Sequence, residues 1–330
     1  MNLFDKLAKA VETTEPIDKE TALEILNIDN VDFPMLLGFA NKLRVKTQGE
    51  QIRICTIMNA KSGACSEDCA FCSQSIHHNT AIDVYPMSDS KTIAEIHESV
   101  PKDAHCFGVV TAGEGLSSDD IAILVETIAK NNSGVAWSAS LGIISDEQLL
   151  KLKNAGMVRY HHNIETAKSF YPNICSTHPH NLRVDMAKRV KNAGLSLCCG
   201  GIMGVGESKV QRVELAMELN EIGSDIIPLN FLVAIEGTKL ENILPMKPLD
   251  ILKTAAMFRF VNPKTEIKVA GGRIHLRGLQ TMLFYAGVNS LITGGLLTTA
   301  NCETNEDRQM LADLELEIYN NNLTLTRNIQ

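Results

Sequence analysis

The chain has 330 residues, of which 45% are hydrophobic and 21% are charged, and its formal net charge at pH 7 is -8. This composition is typical of a soluble globular protein, and the length suits a single α/β barrel with additions. The acidic balance argues against nucleic acid or an anionic membrane as the main partner. No apolar stretch approaches the roughly 18 residues that a membrane-spanning helix needs.

The predicted elements begin with a helical segment. Residues 1–48 are predicted to form a helical N-terminal extension, with helices at 3–12, 19–27 and 32–46. Its first turns alternate charged and apolar residues and lack the continuous apolar segment of a secretory signal, so we expect a cytoplasmic protein. Nine cysteines, an odd number in a large intracellular chain, favour metal or redox chemistry over a disulfide framework.

From residue 52 onward, short apolar runs alternate with amphipathic stretches. Several stretches end in a glycine, such as Gly156 and Gly194, as helices commonly do. We predict an α/β fold, a (β/α)8 TIM-type barrel over residues 49–315 with a C-terminal tail at 316–330. The predicted strands cover residues 52–57, 105–110, 135–139, 158–163, 195–202, 225–229, 266–269 and 290–293. The predicted helices cover residues 119–130, 146–154, 182–193, 209–222, 248–260 and 275–286.

The most informative motif follows the first predicted strand. Cys65, Cys69 and Cys72 are spaced Cys-x3-Cys-x2-Cys among small and polar residues that indicate a loop. Three thiolates at this spacing can hold three irons of a four-iron cluster, whereas such clusters are normally closed by four cysteines. The fourth iron is then open to a small molecule. A barrel of this type carries its chemistry at the C-terminal ends of its strands, where this loop is predicted to lie.

Two other interpretations of these cysteines stay open at this point. Positions i, i+4 and i+7 form one face of a helix, so three buried structural cysteines are an alternative. A zinc site is another alternative, since His77 or His78 could supply the fourth ligand that it needs.

Several motifs, in this order, resemble the biotin synthase family of the radical S-adenosylmethionine (SAM) superfamily. The likeness runs from about residue 53 to residue 315. It implies a homodimeric radical SAM barrel that converts dethiobiotin to biotin, in which a 5′-deoxyadenosyl radical abstracts hydrogen from saturated carbons. The motifs are Gly63-Ala-Cys-Ser-Glu-Asp-Cys-Ala-Phe-Cys-Ser-Gln-Ser75, Tyr160-His-His-Asn-Ile-Glu-Thr166, Cys198-Cys-Gly-Gly-Ile-Met-Gly-Val-Gly-Glu207, Ile227-Pro-Leu-Asn-Phe-Leu-Val233 and Ala270-Gly-Gly-Arg273.

The resemblance implies cofactors and partners. A [4Fe-4S] cluster would be held by Cys65, Cys69 and Cys72, SAM would bind its open iron, and an auxiliary iron-sulfur cluster would supply the sulfur. A flavodoxin or ferredoxin would be the reductant, and iron-sulfur assembly proteins would be further partners. The alternatives are another radical SAM enzyme with a related barrel, such as a hydrogenase-maturation protein, and a noncatalytic iron-sulfur or zinc protein.

The resemblance also assigns side chains to SAM and the substrate. Asn163 and Glu165 match the pair that contacts the ribose hydroxyls of SAM and the ureido ring of dethiobiotin. Asn230 matches a further amide between SAM and substrate. Arg183 matches the arginine that faces the SAM carboxylate, although its position alone indicates a helix surface.

Phe71 matches the aromatic position near the adenine, with simple packing as the alternative. Gly200 and Gly201, with the glycines at 204 and 206, would let the chain pass close to the methionine portion of SAM, although a tight turn is an equal explanation. His161 and His162 adjoin Asn163, but we expect them to be satisfied core histidines.

The auxiliary site departs from the family pattern. The usual three cysteines and one arginine are matched by Cys106, Ser138, Cys198 and Arg273. Serine replaces thiolate poorly on iron-sulfur clusters. Cys55 and Cys199 could compensate, although adjacent strand residues point to opposite faces and each could be a small buried apolar residue.

Together, Cys55, Cys106, Cys198 and Cys199 would suit a four-iron cluster better than a [2Fe-2S] cluster. We therefore predict a remodelled auxiliary cluster, with Arg273 near it. Cys175 and Cys302 are predicted to be structural.

Overall fold

The structure is a computed structural model that describes residues 1–131, 133–295, 297–298 and 303–319. In this part of the chain, nine strands form one sheet whose pairings are all parallel, in the order β5-β4-β3-β2-β1-β9-β8-β7-β6. The strands are β1 (Arg53–Lys61), β2 (Cys106–Thr111), β3 (Ala136–Ser140), β4 (Arg159–His161), β5 (Ser196–Cys198), β6 (Gly201–Met203), β7 (Ile226–Phe231), β8 (Glu266–Val269) and β9 (Ser290–Ile292).

The sheet closes on itself. β5 also pairs with β7, through Cys198 and Ile226, which joins the two edges of the sheet. β5 and β6 are two pieces of one barrel position, interrupted at residues 199 and 200. Eight positions therefore surround the axis, and the predicted (β/α)8 barrel is confirmed.

Helices alternate with the strands and cover the barrel. Several begin at a serine or aspartate whose side chain accepts a backbone N–H of the first turn, as at Asp89, Ser117 and Ser208. The helices are α1 (Leu3–Thr13), α2 (Lys19–Asn27), α3 (Phe33–Gln48), α4 (Ser90–Ser99), α5 (Ser118–Lys130), α6 (Asp146–Ala155), α7 (His180–Asn192), α8 (Lys209–Ile222), α9 (Pro248–Val261), α10 (Met282–Tyr285) and α11 (Thr304–Asp313).

The prediction missed two helices and placed a third incorrectly. α4 and α11 were not predicted, because their apolar positions are few and mixed with charged residues. The predicted helix at 275–286 is a 3-10 segment, Arg273–Leu279, followed by the short α10. Arg277 interrupts it with a φ of +52°, in the left-handed region that ends helices.

The N-terminal helices and residues 317–319 pack on the barrel. α2 and α3 lie against α9, where Lys253 Nζ donates to the Ile28 carbonyl at 2.6 Å. Residues 317–319 run beside Ile52, with Ile52 N donating to the Glu317 carbonyl at 2.8 Å. The division at residues 48 and 315 stays a prediction, and the tail from residue 320 lies outside the described residues. Among the described helices, none is long and apolar enough to cross a membrane.

The core lies between the barrel and its helices. Outward strand residues such as Phe107, Leu197 and Leu229 pack there, while inward residues such as Cys55 and Cys198 face the barrel axis. This alternation follows from the two-residue period of a strand, and it decides which side chains reach the interior.

Candidate functional site

The cysteine loop follows β1 at the C-terminal mouth of the barrel. The amide of Cys65 donates to the Gln74 carbonyl at 3.0 Å, and the amide of Cys72 donates to the Cys69 carbonyl at 2.9 Å. Cys65, Cys69 and Cys72 line one cavity, which reaches Asn163 and Arg183 on the opposite wall. The loop thus presents three thiols to one space.

The geometry of this loop decides between the interpretations. The segment is a series of turns and not a helix, so the helix-face alternative is wrong. His77 Nε2 and His78 Nδ1 contact the backbone carbonyls of Ser66 and Cys72, at 2.9 and 2.7 Å.

The spacing of the three loop thiols does not match a single small ion shared by all of them. Among the described residues, the three loop thiols do not come within the 4.8 Å of one another that a single ion would need. Soft thiolates spread around a cavity fit a multi-iron cluster better than a single zinc ion.

A partly buried ion pair faces the thiols. Arg183 Nη1 lies 3.4 Å from Glu165 Oε1 and donates to the Asn163 carbonyl at 3.1 Å, while its Nε donates to Tyr171 Oη at 2.9 Å. Burial raises the pKa of Glu165, although Arg183 opposes this shift. Glu165 has a φ of +68°, a strained conformation of the kind that concentrates at binding sites.

Asn230 and Phe71 complete the wall. Asn230 Nδ2 donates to the Gly201 carbonyl at 3.2 Å, and its Oδ1 accepts from the Gly271 amide at 3.0 Å. Phe71 is half-buried and lines two adjoining cavities that share Asn163 and Glu165. The structure therefore brings together the side chains that the sequence assigned to SAM and substrate.

Gly200 and Gly201 lie where backbone approaches closely. A Cβ on Gly200 would lie 2.1 Å from the Pro228 carbonyl oxygen, and one on Gly201 would lie 2.2 Å from the Glu165 carbonyl oxygen. Packing alone therefore requires glycine at both positions, and their predicted proximity to SAM stays a prediction.

The two adjacent histidines differ from the expectation of satisfied core residues. His161 and His162 line the cavity, and the Nε2 atom of each is buried without a hydrogen-bond partner. Burial lowers both pKa values, that of His162 to about 3, so both rings are neutral. Buried polar atoms without a partner are rare in folded proteins, and both of these belong to residues on the cavity wall.

A second group of thiols lies deeper, inside the barrel. The Sγ atoms of Cys55 and Cys106 are 2.6 Å apart, on paired positions of β1 and β2. Arg159 Nη1 donates to Cys106 Sγ at 3.2 Å, and Lys268 Nζ donates to Cys55 Sγ at 3.1 Å. Cys198 is completely buried on β5 and interacts electrostatically with Lys268 and Arg159.

The interior thiols differ in their pKa values. The contact with Cys106 and burial raise the pKa of Cys55, and burial raises that of Cys198 to about 11 although Lys268 and Arg159 oppose this shift. The contact with Cys55 and the cations Lys268 and Arg159 lower the pKa of Cys106 to about 6, against the effect of burial. Burial by itself would lower the pKa of Lys268. The thiols and Glu266, whose Oε1 lies 3.4 Å from Lys268 Nζ, outweigh this effect and raise the pKa above its ordinary value. Buried cations beside sulfur suit an anionic metal cluster, so the residues present fit an auxiliary cluster.

Two predicted members of the auxiliary site, Arg273 and Cys199, make other contacts, and so does Ser138, which stands where the family has a cysteine. Arg273 forms a bidentate ion pair with Asp307, at 2.8 and 2.7 Å, and does not face the cysteines. Cys199 points into the apolar core outside the barrel, because it follows the inward-facing Cys198 directly. Ser138 Oγ donates to the Phe107 carbonyl at 3.0 Å, so its hydroxyl is already bonded.

Sequence reasoning did not single out Lys268, Arg159 or His178. Lys268 and Arg159 could have been noticed as charged residues inside otherwise apolar strands, since such positions are costly without a partner. Cys175 was predicted to be structural, and the contacts of its Sγ, 4.0 Å from Cys69 Sγ and 2.8 Å from His178 Nδ1, were not foreseen. No sequence spacing signals that contact, which depends on how two loops meet. Cys302 lies outside the described residues.

Comparisons with known proteins agree with this geometry. A model of the radical SAM superfamily matches residues 60–219, and a model of the biotin and thiamin synthesis associated domain matches residues 228–317. A biotin synthase of Endomicrobium trichonymphae is 41% identical over 319 residues, covering 96% of this chain and 99% of the relative. A biotin synthase of Geobacter sulfurreducens is 43% identical over 324 residues, covering 96% of this chain and 98% of the relative. The chain belongs to the biotin synthase family. It is thus a radical SAM enzyme with biotin synthase activity, and its cofactors include a [4Fe-4S] cluster and SAM.

Solved structures show the same fold for this member of the biotin synthase family. Methylornithine synthase aligns with a TM-score of 0.82 at 17% identity, covering 95% of this chain and 97% of that one. The hydrogenase maturase HydG aligns with a TM-score of 0.79 at 17% identity, covering 95% of this chain and 75% of HydG. At these identities the likeness concerns the fold alone.

Proposed function

We propose that this chain converts dethiobiotin to biotin with the side chains of its barrel mouth and interior in specific roles. The observation that carries the proposal is the cavity that Cys65, Cys69 and Cys72 share with Asn163 and Arg183. When bound and reduced, the [4Fe-4S] cluster supplies a 5′-deoxyadenosyl radical from SAM, which can attack saturated carbons that acid-base chemistry leaves untouched.

The mouth residues would bind and orient. Arg183 carries the positive charge that a SAM carboxylate needs, and its contact with Glu165 holds the guanidinium in place. Asn163 and Asn230 offer amide groups to the ribose hydroxyls and to the ureido ring of the substrate. Phe71 and Ile57 would exclude water from the reacting carbons, since both line the adjoining cavities.

The interior thiols would hold the auxiliary cluster. Cys55, Cys106 and Cys198 provide three ligands, and Lys268, being protonated, has no lone pair to offer as a fourth. A [2Fe-2S] cluster needs four ligands, whereas a four-iron cluster with one iron free of protein thiolate needs three. We therefore favour a four-iron auxiliary cluster, with Lys268 and Arg159 as counter-charges and hydrogen-bond donors.

Partners and assembly state belong to the proposal as well. A flavodoxin or ferredoxin would deliver electrons, iron-sulfur assembly proteins would load both clusters, and the chain would work as a cytoplasmic homodimer. These expectations rest on the family.

The test is anaerobic incubation of the reconstituted chain with SAM, a low-potential reductant and dethiobiotin. We expect both 5′-deoxyadenosine and biotin, and Mössbauer spectra that show two four-iron clusters per chain. Deoxyadenosine without biotin would retain the radical step and reject the substrate. A two-iron signal unaffected by Cys55→Ala would reject the remodelled auxiliary site.

A further inference from the structure

Behind the SAM-cluster loop lies a second set of soft metal ligands. The thiols of Cys69 and Cys175 and the ring of His178 place three ligand atoms within 4.8 Å of one another, and all three side chains are buried. We propose that Cys69, Cys175 and His178 bind a single divalent ion, zinc or iron(II), when the chain carries no SAM cluster. This ion site shares Cys69 with the cluster.

The distances suit tetrahedral coordination. The Sγ atoms of Cys69 and Cys175 are 4.0 Å apart, close to the roughly 3.8 Å that two zinc-sulfur bonds of about 2.3 Å subtend in a tetrahedron. His178 Nδ1 lies 2.8 Å from Cys175 Sγ and would move away by about 1 Å to reach the corresponding nitrogen position. Two thiolates and an imidazole are the donors that zinc and iron(II) accept.

The Glu67 carboxylate lies close enough to supply the fourth ligand. Glu67 Oε2 lies 3.8 Å from His178 Nδ1, and Thr177 Oγ1 donates to the same oxygen at 2.5 Å. Glu67, Cys69 and His178 also line the cavity at the barrel mouth, which gives an ion a path from solvent.

The two loops are fastened together, so the ligand set is largely preformed. The amide of Ala70 donates to the Ile174 carbonyl at 2.7 Å. The Asp68 carboxylate accepts the amide of Ser176 at 2.8 Å and its hydroxyl at 2.5 Å. Binding would displace the protons that the two sulfurs and the imidazole hold and release them to solvent. A preformed set loses little conformational entropy when the ion binds.

The sharing of Cys69 has a consequence that rests on the proposed function. A thiolate that ligates the isolated ion is withdrawn from the SAM cluster, so ion and cluster compete. Iron(II) in this site would be a first loading position, and zinc there would block assembly.

The first test uses the full, cluster-free chain under anaerobic conditions, with Co²⁺ as the probe. We expect Cys175→Ala and His178→Gln to bind one Co²⁺ fewer per chain than the wild type, with loss of thiolate-to-cobalt charge-transfer absorption. Cys65→Ala and Cys72→Ala are the matched controls, since they remove cluster ligands outside the ion site and should bind as many ions as the wild type. Circular dichroism checks that each variant is folded. Equal binding by Cys175→Ala, His178→Gln and wild type, or an equal loss in Cys65→Ala, would overturn the proposal.

The second test is competition. One equivalent of zinc, added before reconstitution, should lower the iron content of the wild type by about the four irons of one cluster and leave that of Cys175→Ala unchanged. Equal inhibition of both chains would overturn the shared site. A chain that binds the ion as expected but makes no biotin would reject only the proposed function.

Discussion

Lys268 Nζ lies 3.1 Å from Cys55 Sγ, and both side chains are buried inside the barrel. A lysine in such a place is retained only if an anion balances it. We expect Lys268→Met to lower auxiliary iron and sulfide content, since a charge-assisted hydrogen bond of about 1.5–3 kcal/mol is lost. Lys268→Arg, which keeps the positive charge, should keep most of the auxiliary iron and sulfide. The check is iron and sulfide per reconstituted chain, with the SAM-cluster spectrum as control; full content in Lys268→Met would contradict the role.

Adjacent cysteines should behave differently. Cys198→Ala should lose the auxiliary cluster, because its thiol faces the barrel interior. Cys199→Ala should retain the cluster, because that thiol is packed in the core outside the barrel. Iron analysis of the two variants, purified identically, decides this prediction. Equal loss of iron in both would show that the strand turns Cys199 inward.

The Arg273–Asp307 pair should matter for stability and not for iron. Arg273→Met leaves a buried carboxylate without its partner, which typically costs about 3–5 kcal/mol. The free energy of unfolding of the cluster-free chain in urea measures this cost. Replacing both residues with apolar ones should recover part of it. A variant of normal stability that lacks the auxiliary cluster would restore Arg273 as a candidate ligand.

Glu165 should contribute to SAM binding through Arg183. In Glu165→Gln the guanidinium loses its charged partner at 3.4 Å but keeps its bonds to Asn163 and Tyr171. We expect the Kd of SAM for the cluster-loaded chain to rise roughly tenfold, about 1.4 kcal/mol. Calorimetric titration measures it, and Glu114→Gln at the cavity edge is the matched control. An unchanged Kd would exclude Glu165 from the SAM site.

His97 should make stability depend on pH. Burial lowers its pKa, its Nε2 contacts the Val135 carbonyl at 3.0 Å, and its Nδ1 is buried without a partner. The unfolded chain therefore binds the proton more readily below about pH 6.5, and stability falls as pH falls, by at most about 1.4 kcal/mol per pH unit.

His97→Phe keeps a ring against Trp137, which His97 stacks on at 3.7 Å, but removes the titration. Its urea unfolding free energy should vary less between pH 5 and pH 8 than that of the wild type. The difference in unfolding free energy between wild type and variant at pH 8, where His97 is neutral, corrects for the lost hydrogen bond. Identical pH slopes would remove His97 as the cause.

The barrel was predictable from the sequence because its strands are short apolar runs separated by amphipathic helices. Ser290–Ile292 and Glu266–Val269 were located almost to the residue. The cysteine loop was equally predictable, since a local spacing determines which thiols come together. Cys198 and Cys199 show the limit: the sequence places both at one strand end, and only the register with Ile226 and His161 decides which faces inward.

Contacts between distant segments were less predictable. Arg273 pairs with a helix that begins 31 residues later, at Thr304, and α11 has too weak a periodicity to be predicted. Cys175 meets Cys69 because two contacts join their loops, from the Ser176 amide to Asp68 and from the Ala70 amide to the Ile174 carbonyl. Such contacts depend on loop conformation, on which hydrophobic periodicity carries no information.

Tyr319 covers the end of the barrel opposite the cysteine loop. Its ring lies 4.7 Å from the Arg53 guanidinium and 5.3 Å from the His105 ring, where β1 and β2 begin. The segment that holds it pairs with Ile52, directly before β1. Cys55 and Cys106 lie on these two strands, so Tyr319 would shield the interior thiols from water on the side away from the cavity.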